Sequence, residues 1–355
     1  MKIVQMLPTL AYGDAIGNNV IAIYGALKSA GYDTAIYADV IDKRIPSRIA
    51  EKIKRFKDSP DTVVLYHLST GSKLNDYIKS FKAKIVIIYH NVTPPEFWHK
   101  YDYGQEKRCS EGVDSVRSLA SAPEYCVAVS EFNKKDLIRL GYTCPVDVLP
   151  ILIKFSDYDK KPNSDTVAKF SDGYVNIVFT GRVAPNKKQE DLITSFYYYH
   201  RFVNPRSRLI IAGSYKNSDI YYRKLKAYTD AIGLEDVIFT GHIPFDQILA
   251  IYKTASVFVC LSEHEGFCVP LVEAMYFDIP IIAFDSTAIG ETLGGSGILL
   301  NDKDPKIVSE AINLVMTDDE LRQKIIAGEK DRLKYFDNSR IKDQLIALLK
   351  GQGLI

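Results

Sequence analysis

The sequence predicts an α/β protein made of two doubly wound parallel-sheet domains in series. Three observations carry that expectation. At 355 residues the chain exceeds the roughly 250–300 residues beyond which a single core usually divides. Short apolar runs alternate with stretches of helical period, the pattern of βαβ units whose strands are buried on both faces. The alternation lapses once, over 146–173, into polar sequence rich in Pro, Ser and Asp, and then restarts, which places an interdomain linker there.

In chain order, "KIVQML" reads as the first strand. The start "MKIVQMLPTLAYGDA" has one Lys and an apolar run broken by Pro8 and Asp14, too short for a signal peptide or a membrane span. "TAIYAD", "TVVLYHL", "KIVIIYH" and "YCVAVS" follow as buried-strand candidates, separated by stretches such as "NNVIAIYGALKSAG" with helical period. Beyond the linker come "VNIVFTG", "RLIIAGS", "DVIFTG", "SVFVCLS", "IPIIAFD" and "GILL", a second unit of the same kind. We place the domains at 1–155 and 156–337, with a C-terminal helix, about 338–355, expected to pack back on the first. Two such domains imply a cleft, with ligands outside the carboxyl ends of the strands.

A formal net charge of +1 with 25% charged residues gives no sign of a nucleic-acid partner. The five cysteines, Cys109, Cys126, Cys144, Cys260 and Cys268, are scattered and form no C-x-x-C pair, so neither a zinc site nor a disulfide framework is indicated, and a reducing cytoplasm fits. In "KRIPSRIAEKIKRFK" (43–57), Ile45, Ile49, Ile53 and Phe56 form a helical stripe among Lys and Arg. The pattern suits a basic amphipathic helix on an anionic membrane surface, or an ordinary helix docked by its apolar face.

"SEHEGFCVPLVEAM" (262–275) directly follows a strand and therefore lies at its carboxyl end. Pro270 suits a first helical turn, which predicts a loop over 262–269 and a helix from about Pro270. Glu265 then sits in the loop and Glu273 one turn into the helix. Gly266 allows close backbone approach, and the helix start offers N–H groups and a positive dipole end. The set suits a polyhydroxylated group, a phosphate and a diol; solvated or capping glutamates fit the same spacing. "FTGRVAPNKKQEDL" (179–192) also follows a strand, with Arg182 and Lys187 five apart in a Gly- and Pro-containing turn. Such a pair is ordinarily solvated, but near two glutamates it supplies the countercharge a diphosphate needs, at ~1.5–3 kcal/mol per charge-assisted contact.

"GRVAPNKKQ", then "EGFCVPLVEAM" some eighty residues later and "IPIIAFDSTAIGETL", with "YHNVTPPEF" and "VAVSEF" in the first half, resemble glycosyltransferase family 4 across essentially the whole chain. The resemblance implies the GT-B fold, two Rossmann-like domains facing a cleft, the first for the acceptor and the second for a nucleotide sugar. It implies that Arg182 and Lys187 hold the donor diphosphate, that Glu273 bonds the ribose hydroxyls, and that Glu265 contacts hydroxyls of the transferred sugar. Gly266, Phe267 and Cys268 would line sugar and phosphate, with Gly181 at the head of the turn and His242 and Ile243 bordering the base. Lys188 stands where the family commonly has a small residue. In the first domain, "PTLAYGDAIGNN" (8–19) is not a GxGxxG fingerprint, yet the family's loop here reaches donor phosphate or acceptor, which nominates Gly13 and Asp14. His90 occupies the position that faces the transferred sugar, although a lone His is more often structural. Ser69, Thr70 and Gly71 are acceptor candidates.

The resemblance further implies hexosyl transfer with retention, without cofactor or metal. "SDYD" (156–159) offers a D-x-D, but it lies in the linker away from any strand end. No nucleophile is evident on the opposite face, which favours front-face attack with the donor phosphate taking the acceptor proton. The expected partners are GDP-mannose or a UDP-hexose and a saccharide or lipid-linked acceptor, in polysaccharide or glycoconjugate assembly. The expected location is cytoplasmic, peripheral at the inner membrane face if 43–57 binds there. A non-catalytic two-domain sugar receptor would call for a secretory signal and aromatic platforms, and leaves the Arg/Lys/Glu set unexplained. A GT-B nucleotide-sugar epimerase is the other rival.

Overall fold

The computed structural model describes residues 1–355 and divides into two compact units. The first comprises Met1–Glu96, Gly104–Lys154 and Phe336–Ile355, the second Phe97–Tyr103 and Phe155–Tyr335. In the first unit the strands are β1 (Lys2–Leu10), β2 (Asp33–Ile41), β3 (Ala50–Lys52), β4 (Thr62–Leu68), β5 (Lys84–Tyr89), β6 (Tyr125–Ala128) and β7 (Val146–Val148). They pair in parallel in the order β3-β2-β1-β4-β5-β6-β7. The second unit has β8 (Val175–Thr180), β9 (Ser207–Ala212), β10 (Val237–Gly241), β11 (Val257–Cys260), β12 (Ile281–Phe284) and β13 (Ile298–Leu300), again all parallel, in the order β10-β9-β8-β11-β12-β13.

Each apolar run read as a strand is one. β4 is buried along its whole length and β11 likewise, as expected where helices cover both faces of a parallel sheet. In each unit the strand order reverses beside the first strand, between β1 and β4 and between β8 and β11, and the carboxyl ends there form the natural ligand crevice of that sheet. The C-terminal helix Asn338–Gly351 belongs to the first unit and packs on the helix Ala15–Ser29; Gln344 Nε2 donates to the Val148 carbonyl at 3.2 Å, and Lys84 Nζ to that of Gly353 at 3.3 Å.

The structure corrects the sequence reading in three places. Residues 43–57 form no α-helix. Pro46 lacks the N–H that a helix interior needs, Ala50–Lys52 joins the sheet as edge strand β3, and Ile53–Arg55 makes a single 3₁₀ turn. Ile45 and Ile53 are buried in the core, and Phe56 packs edge-on against Tyr37 at 5.4 Å, so the apolar stripe has an internal partner. The stretch read as linker also holds β7 and the helix Ser164–Phe170, with the unit boundary after Lys154. Finally, Phe97–Tyr103 belongs to the second unit. No helix is long and apolar enough to cross a membrane.

Candidate functional site

The turn after β8 is set by backbone geometry. Gly181 has φ +148°, and a Cβ on Gly213, after β9, would lie 1.9 Å from the Gly181 carbonyl oxygen, so only glycine allows these two strand ends to touch. The chain then makes a 3₁₀ turn, Pro185–Lys187, and Lys188, at φ 52°, starts the helix Gln189–Phe202. Arg182 is exposed and lies over the Trp98 ring, 5.0 Å from its centroid.

After β11 the chain forms the expected loop, and the next helix is Val269–Tyr276 with Pro270 in its first turn. Asn186 ties the two loops together: its side-chain N–H donates to the His264 carbonyl at 3.0 Å, and its own carbonyl accepts from Glu263 N–H at 2.9 Å. Thr287, after β12, grips Glu265 by its backbone, its hydroxyl accepting from the N–H and donating to the carbonyl, both at 2.9 Å. The Thr292 hydroxyl holds the Phe267 carbonyl at 2.5 Å. Glu265 is thereby presented to Lys187, and the two form an ion pair of 2.5 Å with both side chains largely buried. Burial disfavours the ammonium, yet the Glu265 carboxylate, with Cys268 and Cys260 nearby, holds the Lys187 pKa above its usual value.

Cys260, Glu265 and Cys268 are all buried, with their potential ligand atoms within 4.8 Å of one another. Hydrogen bonding between the thiols lowers the pKa of Cys260 and raises that of Cys268. Cys268 holds a left-handed conformation, φ 73°, immediately before the helix. These are the residues with the donor set for a thiophilic cation, although the Lys187 ammonium already occupies Glu265.

Glu273 faces a different set. Its Oε1 accepts from the Tyr158 hydroxyl at 2.7 Å and its Oε2 from that of Tyr252 at 2.5 Å. Because Tyr252 gives its one proton to the carboxylate, its oxygen accepts from the Thr180 hydroxyl, 2.6 Å away at the end of β8. Burial raises the Glu273 pKa, and the two tyrosine hydrogen bonds oppose that rise. Tyr158 lies between the two aspartates of "SDYD", whose carboxylates are engaged elsewhere, Asp157 with Lys160 at 2.7 Å and Asp159 with Tyr276 at 2.6 Å. Lys188 pairs with Glu263 at 3.2 Å and Glu190 at 3.9 Å, and Lys303 grips Glu263 and Asp191, both at 2.6 Å. Lys188 is thus part of an ion-pair network flanking the turn. His242 is exposed and Ile243 half-buried after edge strand β10, two strands from β8.

In the first unit, Gly13 has φ +76° and Asp14 caps the helix Ala15–Ser29, accepting from Gly17 N–H at 3.3 Å. Gly71 fits against Gly112, where a Cβ would meet backbone at 2.9 Å, and Asn75 donates to the Thr70 carbonyl at 3.0 Å, so the Ser69–Gly71 turn is held from behind. His90 follows β5 and is 9% exposed.

The structure therefore joins Lys187, Glu265 and Cys268 in one cluster and links Glu273 to the end of β8 through Tyr252. Sequence reasoning missed Asn186, Thr287, Tyr158, Tyr252 and Trp98; Thr287 lies inside the quoted motif "IPIIAFDSTAIGETL", which carried no role for it.

Residues 160–332 match the family described as "Glycosyl transferases group 1". These residues are similar to a group 1 glycosyltransferase domain. The glycosyltransferase chain is 25% identical over 320 residues to O-antigen chain mannosyltransferase B of Escherichia coli, covering 86% of this chain and 77% of that protein. It is 24% identical over 326 residues to the serotype-specific mannosyltransferase WbdA of Escherichia coli, covering 87% of this chain but 39% of that longer protein. Its fold is that of HepE from Anabaena, whose crystal structure in complex with UDP-glucose superposes with a TM-score of 0.76 at 17% identity, covering 99% of this glycosyltransferase and all of HepE.

Proposed function

We propose that this glycosyltransferase moves a hexose from a nucleotide-diphosphate sugar to a hydroxyl of a saccharide or lipid-linked acceptor, with retention of configuration and without a metal. The observation that carries the reading is the largely buried Lys187–Glu265 pair, built from the ends of β8 and β11 beside a helix N-terminus. When the glycosidic bond to the donor breaks, negative charge develops on the departing diphosphate. Lys187, Arg182 and the N–H groups at the start of Val269–Tyr276 are the fixed countercharges for it, a contribution worth about 3–4 kcal/mol for a single well-placed donor. Glu265, released from part of its bond to Lys187, orients hydroxyls of the transferred sugar, and Glu273 takes the ribose diol on the lone pairs its tyrosines leave open. A donor phosphate oxygen accepts the proton of the attacking hydroxyl on the same face.

The relatives named as mannosyltransferases favour GDP-mannose, and the HepE complex keeps UDP-hexoses as the second donor to test. In the first unit His90 and Ser69–Gly71 offer polar groups to substrate hydroxyls. All five cysteines are free thiols, which supports a cytoplasmic location. The basic side chains of 43–57 stay on the surface and support attachment to an anionic membrane by charge alone, without an inserted helix.

The test is nucleotide release from GDP-mannose, UDP-glucose and UDP-galactose with and without saccharide acceptors, in EDTA, with the product anomer read by NMR. Acceptor-dependent release and a retained anomer are expected; an inverted product, or activity only after metal is restored, overturns the corresponding part of the reading.

A further inference from the structure

Three buried polar side chains lie in a row across the first sheet, on strands that are immediate neighbours: Gln5 on β1, His67 on β4, and His90 just beyond β5. Gln5 and His67 are fully buried and His90 is 9% exposed. Gln5 Nε2 donates to the Val20 carbonyl at 2.8 Å, His67 Nε2 lies 2.9 Å from Gln5 Oε1, and His67 Nδ1 lies 2.9 Å from His90 Nε2. His90 Nδ1 is buried and has no hydrogen-bond partner.

The proton positions follow from one fixed point. A backbone carbonyl only accepts, so the amide N–H₂ of Gln5 faces Val20 and its oxygen faces His67. His67 Nε2 must then carry a hydrogen to satisfy that oxygen. Burial holds both imidazoles neutral, driving the pKa of His67 well below its usual value, with His90 adding to the effect, and that of His90 to about 3. A neutral His67 protonated on Nε2 has a bare Nδ1, which can only accept, so the hydrogen between the rings belongs to His90 Nε2. His90 Nδ1 is therefore also bare. It is an acceptor with no donor, a state that is destabilising when buried and calls for an explanation.

We propose that Gln5 and His67 are positioning residues that lock His90 as its Nε2–H tautomer, so that Nδ1 is a standing acceptor for a hydroxyl of a bound saccharide. The saccharide rests on the glycosyltransferase reading above; the tautomer does not. An acceptor fixed in this way selects against any group at that position that cannot donate, such as fluorine or a methyl ether. A His90 free to exchange tautomers would lose that selectivity.

The experiment has two arms. With the full chain labelled with ¹⁵N-histidine, long-range ¹H–¹⁵N spectra report which nitrogen of each ring is bare. Wild type should show His90 bare at Nδ1, His67→Phe should release His90 into both tautomers, and His67→Asn, whose amide oxygen replaces the lost acceptor, should restore the first. Gln5→Leu gives the same readout without altering either ring, should His67→Phe fail to fold. In the second arm, kcat/KM is measured for the monodeoxyfluoro analogues of whichever of GDP-mannose and UDP-glucose turns over. One position should cost wild type about tenfold or more, the loss of roughly one hydrogen bond, and cost His67→Phe much less, with selectivity regained in His67→Asn.

A wild-type His90 protonated on Nδ1, or a tautomer indifferent to His67 and Gln5, overturns the relay. A correct tautomer with no fluorinated position coupled to His67 overturns the hydroxyl-selecting role. If neither nucleotide sugar turns over, the donors proposed above fail, and the relay is judged by the spectra alone.

Discussion

Replacing Tyr252 with Phe tests how Glu273, proposed to take the ribose diol, is held. Tyr252 is 1% exposed, and its ring stacks on Phe277 at 5.1 Å, so the aromatic packing survives and only the hydroxyl is lost. Two bonds go with it: the one it donates to Glu273 and the one it accepts from Thr180. A hydrogen bond to a charged group contributes about 1.5–3 kcal/mol, and a buried hydroxyl left without an acceptor costs about 1–3 kcal/mol, partly overlapping terms. Allowing for that overlap, we expect Tyr252→Phe to lower unfolding free energy by about 2–4 kcal/mol in urea titration. Because Tyr252 opposes the burial that raises the Glu273 pKa, its loss pushes that pKa further up, and nucleotide affinity measured by calorimetry should fall roughly tenfold, about 1.4 kcal/mol. In a double-mutant cycle with Glu273→Gln the two substitutions should couple by about 1 kcal/mol or more, since each removes the other's partner. A Tyr252→Phe protein within about 0.5 kcal/mol of wild type, with unchanged affinity and additive behaviour, would refute the arrangement.

Lys187→Ala removes the buried countercharge and strands Glu265; turnover should fall about 10²-fold or more in a nucleotide-release assay, and an unchanged kcat would count against Lys187 as the diphosphate ligand. Lys188→Ala loses only part-exposed ion pairs worth up to about 1 kcal/mol and should leave turnover within about twofold, so a large loss would count against the role proposed for Lys187 and in favour of Lys188. Glu329, fully buried with Oε1 on Ile281 N–H and Oε2 unpartnered, has a pKa raised from 4.5 to about 8, chiefly by burial. The folded protein thus holds a proton that the unfolded chain releases above pH 4.5, and this group's contribution to stability is full below pH 4.5 and lost as pH rises towards 8. Glu329→Gln should therefore stabilise by about 3 kcal/mol at pH 7 and by nothing near pH 4; equal effects at both pH values in urea titration would show that Glu329 is ionised in the fold.

The sheets were legible because a strand covered on both faces must be apolar throughout, so runs such as "TVVLYHL" and "SVFVCLS" mark themselves. β3 and β7 carry no such mark: "AEK" and "VDV" are three residues each and are recruited by pairing to a neighbouring strand. The stripe of Ile45, Ile49, Ile53 and Phe56 was read as a helix because spacing reports which side chains face inward. It does not report the backbone that delivers them, and here a turn, an edge strand and a 3₁₀ turn do so. At the site, Arg182, Lys187 and Glu265 stood out by type and by following a strand. The residues that hold them did not, because their partners are remote: Tyr158 meets Glu273 across 115 positions and Asn186 meets His264 across 78. Lys188 and Asn186 make the contrast within one turn. The lysine attracted attention through its charge, yet it pairs with carboxylates flanking the turn. The neutral amide two residues earlier joins the loops after β8 and β11, which is why Lys187 can reach Glu265 at all. A charge can be seen in a sequence, but the geometry that gives it catalytic value belongs to such uncharged ties, and these exist only once the sheet has set the strand ends side by side.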